Sequence, residues 1–484
     1  MSNATEQKNA QQDYKPGVFP LKKRKWGEEE PYIKFGPFKI RIPFVHYKFE
    51  TAEAMQAIFM CATCLGAIPV LTHYLGLSHE VAWAMVIING FLYFLHASLG
   101  DPVVPGWITP GIPLTLAFIT TYDMGAERIH ALIALQLLVA AIFLLMGITG
   151  MARKFVGWVP RPVQAGILLG AGILAVFNEF VPTGRFNLFP ITIGIAGSVA
   201  AFTLFSATFK SMRAKNRIIN KIGSVGMLPA IIVGVIVGPL VGEIPMPQVE
   251  LGTFIFIPPV GEVMRAISPF YIGFPIWSMF VAALPVAFML YVIAFGDLIT
   301  TDALTKDADK ARDDEKIDLN ANRSNLICGI RNGIMALVAP YPQMSGPIWT
   351  AVTAAILNRY KEGRKAMDSV FSGVGTFRMM TAFYIMLFPI ASLLRPVLPI
   401  ALSLTMLVTG FICLSLAMSM CKTDKERSIA GVMGCVLAAM GAMWGLAIGI
   451  GLYLLLEKDF VNRQEAIADG TTAAPAATKE DEKK

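Results

Sequence analysis

The chain has 484 residues, 55% of them hydrophobic and only 15% charged, with a mean hydropathy of +0.58. A soluble chain carries roughly a quarter charged residues, so a soluble enzyme or binding domain is excluded, and apolar runs of about 20 residues are long enough to span hydrocarbon. The net charge of +7 is no nucleic-acid footprint, because the basic residues gather in particular loops.

Residues 1–50 are predicted to lie outside the bilayer, as a basic cytoplasmic segment without a signal-peptide pattern. Met1 to about Asp13 reads as disordered. Lys22-Lys23-Arg24-Lys25-Trp26 and the alternation Lys34-Phe35, Phe38-Lys39-Ile40-Arg41-Ile42 point to a segment lying on lipid headgroups, or to the positive flank that orients the first span. A first repeat, 51–242, contains seven predicted spans, near 51–75, 81–99, 107–121, 130–150, 163–181, 189–209 and 224–242. A proline-rich external loop with a short surface helix follows at 243–274. The second repeat, 275–456, gives spans near 275–303, 323–338, 346–358, 369–394, 398–420 and 428–456, the last divided into two shorter helices. The tail, 457–484, reads as disordered and cytoplasmic. The fold class is therefore an all-α polytopic membrane protein of about 14 segments.

Two of these segments begin at breaks. Tyr341-Pro342-Gln343-Met344-Ser345-Gly346-Pro347 must be extended up to about Gln343, because residues before proline avoid the helical region. Ser345 then offers an N-cap for a half-helix opened by Gly346 and Pro347. Trp107-Ile108-Thr109-Pro110-Gly111-Ile112-Pro113 reads the same way. Gly111 and Gly346 are 235 residues apart, as are Thr115 and Thr350, and Arg161-Pro162-Val163 recurs as Arg395-Pro396-Val397 at a spacing of 234. A duplication explains these spacings. Half-helices that start inside a bilayer need a ligand or water cavity facing their free N–H groups.

Loop charge orients the chain. The loops at 151–162, 210–223, 304–322, 359–365 and 422–427 carry Lys/Arg clusters, whereas those of the opposite side hold only Arg128, Arg185, Arg265 and Arg395. This puts both termini in the cytoplasm, in a plasma (cell inner) membrane. With seven spans, an odd number, per half, the two repeats enter in opposite orientations, so the repeat is inverted, the arrangement used for alternating access.

The helix before the second break contains Asp297 and Thr301, four apart and hence on one face. An intramembrane carboxylate calls for a partner, an ion or water. A carboxylate with a hydroxyl suits Na⁺ or a proton relay, although Asp297 can also mark the cytoplasmic helix end. Arg331 and Arg378 fall formally inside spans, as candidate substrate counter-ions or as arginines snorkelling to the interface. Glu53 and Gln56 share a face of the first span and are candidates to join the site.

The long acidic helix, the extended breaks and the paired half-helices resemble the seven-plus-seven inverted-repeat superfamily. This superfamily holds the sulfate-permease (SulP) anion transporters, the nucleobase–ascorbate transporters and the bicarbonate exchangers. Asp297-Leu298-Ile299-Thr300-Thr301 is similar to the Asp-x-x-x-Thr segment with which sodium-coupled SulP bicarbonate transporters help hold Na⁺. The resemblance implies an anion or polar substrate between Thr109, Pro110 and Gly111 on one side and Gln343, Met344, Ser345 and Gly346 on the other. It also implies elevator movement of a core domain (spans 1–4 and 8–11) against a gate domain (spans 5–7 and 12–14). Two departures stand out: no folded domain is read after the last span, and the Gln-Asn-rich signature of nucleobase transporters is missing apart from Gln343.

Two half-helix N-termini favour an anion, with Gly111 and Gly346 letting it approach the backbone. Phe295, Tyr341, Trp107 and Trp349 could instead wall a neutral ring, making the protein a H⁺-coupled nucleobase symporter. An anion channel is the alternative of another class. Neither a His-Glu-x-x-His metal motif nor a Gly-x-Ser-x-Gly elbow nor a P-loop is present, and Cys61-x-x-Cys64 reads as helix packing, so no enzyme and no cofactor beyond coupling Na⁺ or H⁺ is expected. Gly441, Gly445 and Gly449 have the spacing of a bend, a helix contact or a dimer seam, and a homodimer in the lipid bilayer is expected.

Overall fold

The computed structural model describes residues 20–456, apart from 217, 218, 220, 221 and 224–226. The expectations for Met1–Asp13 and for the tail lie outside the described residues.

Every predicted span corresponds to a helical element. In the first half these are α1 (Thr51–Leu65), α2 (Ile68–Leu75), α3 (His79–Leu99), α4 (Ile112–Ile119), α5 (Ala126–Thr149), α6 (Arg161–Phe180), α7 (Pro190–Phe205) and α8 (Leu228–Leu240). α9 (Val260–Ile267) is the expected short helix of the external loop. The second half supplies α10 (Trp277–Ala311), α11 (Ala321–Val338), α12 (Thr350–Lys361), α13 (Val370–Tyr384), α14 (Phe388–Leu394), α15 (Leu398–Met420), α16 (Asp424–Met440) and α17 (Ala442–Leu456). Among the described residues six helical stretches, α1–α2 and α14–α15 each counted as one, are long and apolar enough to cross a bilayer, or seven if Pro190–Phe205 and Ala207–Arg213, bent by 61°, form one span. The molecule is a polytopic all-α membrane protein.

Local chemistry sets the helix ends. Ser78 caps α3, Asn320 caps α11 and Ser369 caps α13, each side chain accepting first-turn N–H groups. Thr423 and Glu426 form a reciprocal capping box at the start of α16. The predicted 369–394 span is two helices. The chain turns between Tyr384 and Phe388, where Phe256 N–H donates to Met386 O at 2.8 Å and Phe388 N–H to Phe254 O at 2.9 Å. The external loop is therefore stitched onto this turn. The stacked rings of Trp83 and Phe256, 4.2 Å apart, cover it.

The helices sort into two groups by packing. α5 lies along α10 and α11, and α13 along α1, α3 and α12. α6 packs against α15, α16 and α17, and α7 against α8 and α15. Near the middle, two short strands cross: β3 (Gly106–Trp107) pairs antiparallel with β4 (Ser345–Gly346). One strand comes from each half of the chain.

The N-terminal segment forms a hairpin, β1 (Ile33–Phe35) and β2 (Phe38–Ile40); Lys22, Lys23, Lys25 and Lys34 are exposed, whereas Arg24, Lys39 and Arg41 are paired within the protein. Arg24 lies within 2.5 Å of Glu30, 2.8 Å of Asp314 and 3.2 Å of Glu315, all of them buried. Arg312 makes a two-pronged bond to Asp314, both distances 2.7 Å, and donates to the Met367 and Asp368 carbonyls. Lys39 bridges Glu29 and Asp318. Low-dielectric burial makes such pairs mandatory, and together they clamp the hairpin, the loop after α10 and the loop before α13.

Within this clamp two guanidiniums, Arg24 and Arg312, face three carboxyls, so one carboxyl is expected to keep its proton. Burial pushes Glu30 up to about 8, against the opposing pull of Arg24 and with help from Glu315. The hydrogen bonds from Arg312 hold Asp314 low in spite of its burial. Glu30 therefore binds its proton more tightly when folded. Its contribution to stability is complete below its ordinary 4.5 and is lost as pH rises through about 8. Melting temperatures from pH 6 to 9 should fall in the wild type and stay nearly flat in Glu30→Gln, the difference amounting to on the order of 2 kcal/mol at the alkaline end. Parallel slopes would contradict the assignment.

Candidate functional site

The strand crossing is held by backbone and by two side chains. Trp349 N–H donates to Val104 O at 2.6 Å, and Ile108 N–H to Met344 O at 2.9 Å. The Asn332 amide takes both backbone groups of Ser345, accepting its N–H at 3.0 Å and donating to its carbonyl at 2.9 Å. Thr353 Oγ1 accepts the Val104 N–H at 3.1 Å.

Ser345 is therefore not a helix cap. The second half-helix starts at Thr350 with Trp349 before it and no side-chain cap, because Pro347 and the pairing with β3 keep the chain extended four residues further than expected. The first begins with a single 3₁₀ turn over Thr109–Gly111 and continues as α4. The N–H groups of Thr350, Ala351 and Val352 have no intrahelical acceptor.

A cavity of about 390 Å³ opens beside the crossing, between the two helix groups. One wall carries Tyr93, Trp107, Thr109, Trp349, Ala351 and Arg378; the other carries Phe205, Ile231, Thr405 and Thr409. Gln56, Met60 and Cys64 of α1 complete it. The lining runs from the crossing toward the end of the bundle where α7 ends and α8 begins.

Arg378 is the single charged side chain among the described lining residues, and it is 2% exposed. Its Nε and Nη2 have no hydrogen-bond acceptor among the described residues. Its guanidinium sits 4.5 Å from the Tyr93 ring centroid and 5.5 Å from that of Trp349. Arg331 covers the same Tyr93 ring at 3.6 Å and donates to the backbone and side-chain oxygens of Asn89. Two buried cations thus share one aromatic ring; Arg331 Nε also lacks a partner among the described residues, but only Arg378 lines the cavity. Neither arginine reaches for the interface.

The other expected residues divide. Thr109 and Trp107 line the cavity, as does Gln56. Gln343 is 1% exposed, and neither of its amide atoms has a partner. It faces a small annex that shares Thr63, Trp107, Ile231 and Thr405 with the main cavity. Pro110 sits in the 3₁₀ turn beside Thr109. Met344 and Gly346 are consumed in the crossing. Gly111 is not a port for a ligand: a Cβ there would strike Leu290 of α10, so the glycine serves helix packing. Gly106 plays the close-approach role on the lining, with Trp349 Cβ 2.8 Å from where its own Cβ would be.

Tyr341 and Phe295 are core residues rather than a stacking wall. Tyr341 is fully buried with its N–H on Gln136 Oε1 at 2.8 Å, and Phe295 stacks on Tyr291 within α10, ring centroids 6.2 Å apart. Asp297 and Thr301 also lie outside the lining. The Thr301 hydroxyl donates to the Asp297 carbonyl at 3.0 Å, and Asp297 lies near Cys413 of α15, where the two helix groups meet. Glu53 is paired with Arg359, which also approaches Glu50 at 3.4 Å. Sequence reasoning missed Tyr93, Asn89 and Asn332; Asn332 directly after Arg331 was the available signal, as a second polar residue inside one span.

No family model and no curated protein matches this sequence. Solved structures do. The chain is similar to the overall structure of SLC26A9 at a TM-score of 0.51 and 15% identity, over 83% of this chain and 64% of that one. Murine Slc26a9, an anion transporter in the inward-facing state, gives 0.49 and 12%, over 86% and 69%. The transmembrane domain of the cyanobacterial bicarbonate transporter BicA gives 0.47 and 13%, over 84% and 99%. The first of these shows a shared fold, and this chain spans less than two thirds of that protein.

Proposed function

We propose that this protein is a secondary transporter of a small anion (an inorganic anion, bicarbonate or a small carboxylate), working by alternating access in a lipid bilayer. The observation that carries the reading is Arg378, a buried guanidinium on the cavity wall with two donor nitrogens that find no acceptor among the described residues. A buried charge persists only when something compensates it, and no carboxylate is among the described lining residues. The uncapped N-terminus of α12, with Ala351 and Val352 on the same wall, adds N–H donors and a positive helix end. The likeness to SLC26A9 in fold agrees with this use.

The test is thermal stability of the purified protein against chloride, nitrate, sulfate, bicarbonate and small carboxylates, with uracil and xanthine as neutral controls. An anion at 100 times its Kd should stabilise by about 2.7 kcal/mol. Stabilisation by the bases and by no anion would overturn the reading in favour of a nucleobase symporter, with Trp107 and Trp349 as the ring-binding wall. Saturable uptake into liposomes separates a transporter from a channel. The group α1–α5 with α10–α13 is proposed as the moving core and the group α6–α8 with α15–α17 as the gate. With the termini cytoplasmic, the cavity faces inward. We place a coupling Na⁺ at Asp297 and Thr301, at the boundary between the two groups. Asp297→Asn should leave anion binding intact and remove Na⁺-stimulated uptake; unchanged stimulation would refute that placement.

A further inference from the structure

A polar seam runs from the cavity into the protein, away from Asp297. On α3 the residues Asn89, Tyr93 and His96 recur at helical spacing, and on α11 Ser324, Cys328 and Arg331 do the same. The two stripes face each other and pair in order. Arg331 bonds Asn89 and covers Tyr93. His96 Nε2 lies 4.0 Å from Cys328 Sγ. Ser324 Oγ donates to Asp101 Oδ1 at 2.8 Å. At the far end His96 Nδ1 is 3.0 Å from Asp101 Oδ2. His96, Asp101, Ser324 and Cys328 are all 0% exposed.

The backbone enforces this pair. α3 ends at Gly100, at φ 109°, and both Gly100 N–H and Asp101 N–H turn back onto the His96 carbonyl. Asp101 is thereby folded under His96. An ionised Asp101 accepts hydrogen bonds only, so the hydrogen-bond pattern assigns the ring proton to Nδ1. That leaves the Nε2 lone pair facing the Cys328 thiol, the next rung of the seam before Arg331.

We propose that His96 is a proton-binding site coupled to the anion site, so that proton and anion bind together. The inference rests on the anion reading of the Arg378 cavity. In the empty state Asp101 is negative and His96 neutral. A proton taken up at Nε2 makes an imidazolium that neutralises Asp101 and adds one positive charge behind Tyr93. The anion at Arg378 then meets a more positive wall, and by linkage it strengthens proton binding equally. The charged neighbours set the balance. Arg323 on α11 comes within 3.9 Å of Asp101. Arg331 on α11 and Arg378 on α13 oppose a further positive charge until an anion arrives. Lys39 and Arg41, on and beside β2 against the end of α3, are already matched by the carboxylates of Glu29 and Asp318. Arg331 and Arg378 are therefore the cations whose repulsion the anion relieves.

The test uses the full-length protein and chloride, nitrate and sulfate, which keep their charge between pH 5.5 and 8.5. Affinities are read from the fluorescence of Trp107 and Trp349, and proton uptake from binding heats in buffers of different ionisation enthalpy. The wild type should bind more tightly as pH falls, approaching tenfold per pH unit, with one proton taken up per anion. His96→Gln should still bind anion, with an affinity constant within about twofold across the range. A pH slope that persists in His96→Gln, or wild-type binding without proton uptake, overturns the proposal while leaving the anion site standing. The uptake measurement needs no variant, so a poorly folding mutant does not shield the idea. Absence of anion binding at every pH would overturn the anion reading and this inference together.

Discussion

Arg378→Met is expected to abolish anion binding and, at the same time, to raise the melting temperature of the anion-free protein. The two effects have one cause. Without a ligand the guanidinium is buried against Tyr93, Trp349 and Phe377, with Nε and Nη2 unsatisfied. That is a stored cost, and replacing buried ionic groups by apolar side chains of similar volume stabilises by about 1–4 kcal/mol. With a ligand the same donors complete charge-assisted hydrogen bonds, and truncating such a partner costs about 2–5 kcal/mol, roughly 30-fold or more in Kd. A stability scan of both proteins with and without anion checks both signs. A variant that melts lower without anion, or that keeps its anion-induced shift, would show that Arg378 is a structural residue.

The second large effect is expected at the clamp. Arg24→Ala leaves Glu30, Asp314 and Glu315 buried without their shared cation. Uncompensated buried charge costs about 3–5 kcal/mol, far more than the median exposed pair. Thermal unfolding measures the loss, and limited proteolysis should find the segment from Leu21 to Glu50 newly cleavable. Arg24→Ala within 1 kcal/mol of wild type would mean that the clamp is hydrated.

The architecture was legible because its signals are one-dimensional. Apolar length, loop charge and proline breaks each act along the chain, and they located the long apolar helices, although 51–75 and 369–394 each divide in two. The paired Arg161-Pro162 and Arg395-Pro396 motifs both stand at helix starts: α6 begins at the first and α15 directly after the second. The site was less legible because it depends on which neighbours satisfy a polar group. Ser345 has the sequence of a cap, yet Asn332, thirteen residues away, takes its backbone instead. Gly111 looks like room for a ligand, yet Leu290 fills that room. Arg24 carries the composition of a lipid-facing segment, but two of its carboxyl partners, Asp314 and Glu315, lie in a loop far along the chain. Arg378 and His96 were visible as residue types; what distinguishes them, an unsatisfied donor and an enclosed pair, exists only in three dimensions.

The clamp also imposes an order on biogenesis. Arg24 is synthesised early, but its partners Asp314 and Asp368 lie 290 and 344 residues later. At elongation rates of about 5–20 residues per second, the N-terminal segment waits on the order of 15–70 s for the groups that will neutralise it. Throughout that interval it remains a cationic, undocked arm beside a half-built bundle. Closure of the clamp is therefore among the last events of assembly, and it reports that both the loop after α10 and the loop before α13 have reached the same side of the membrane.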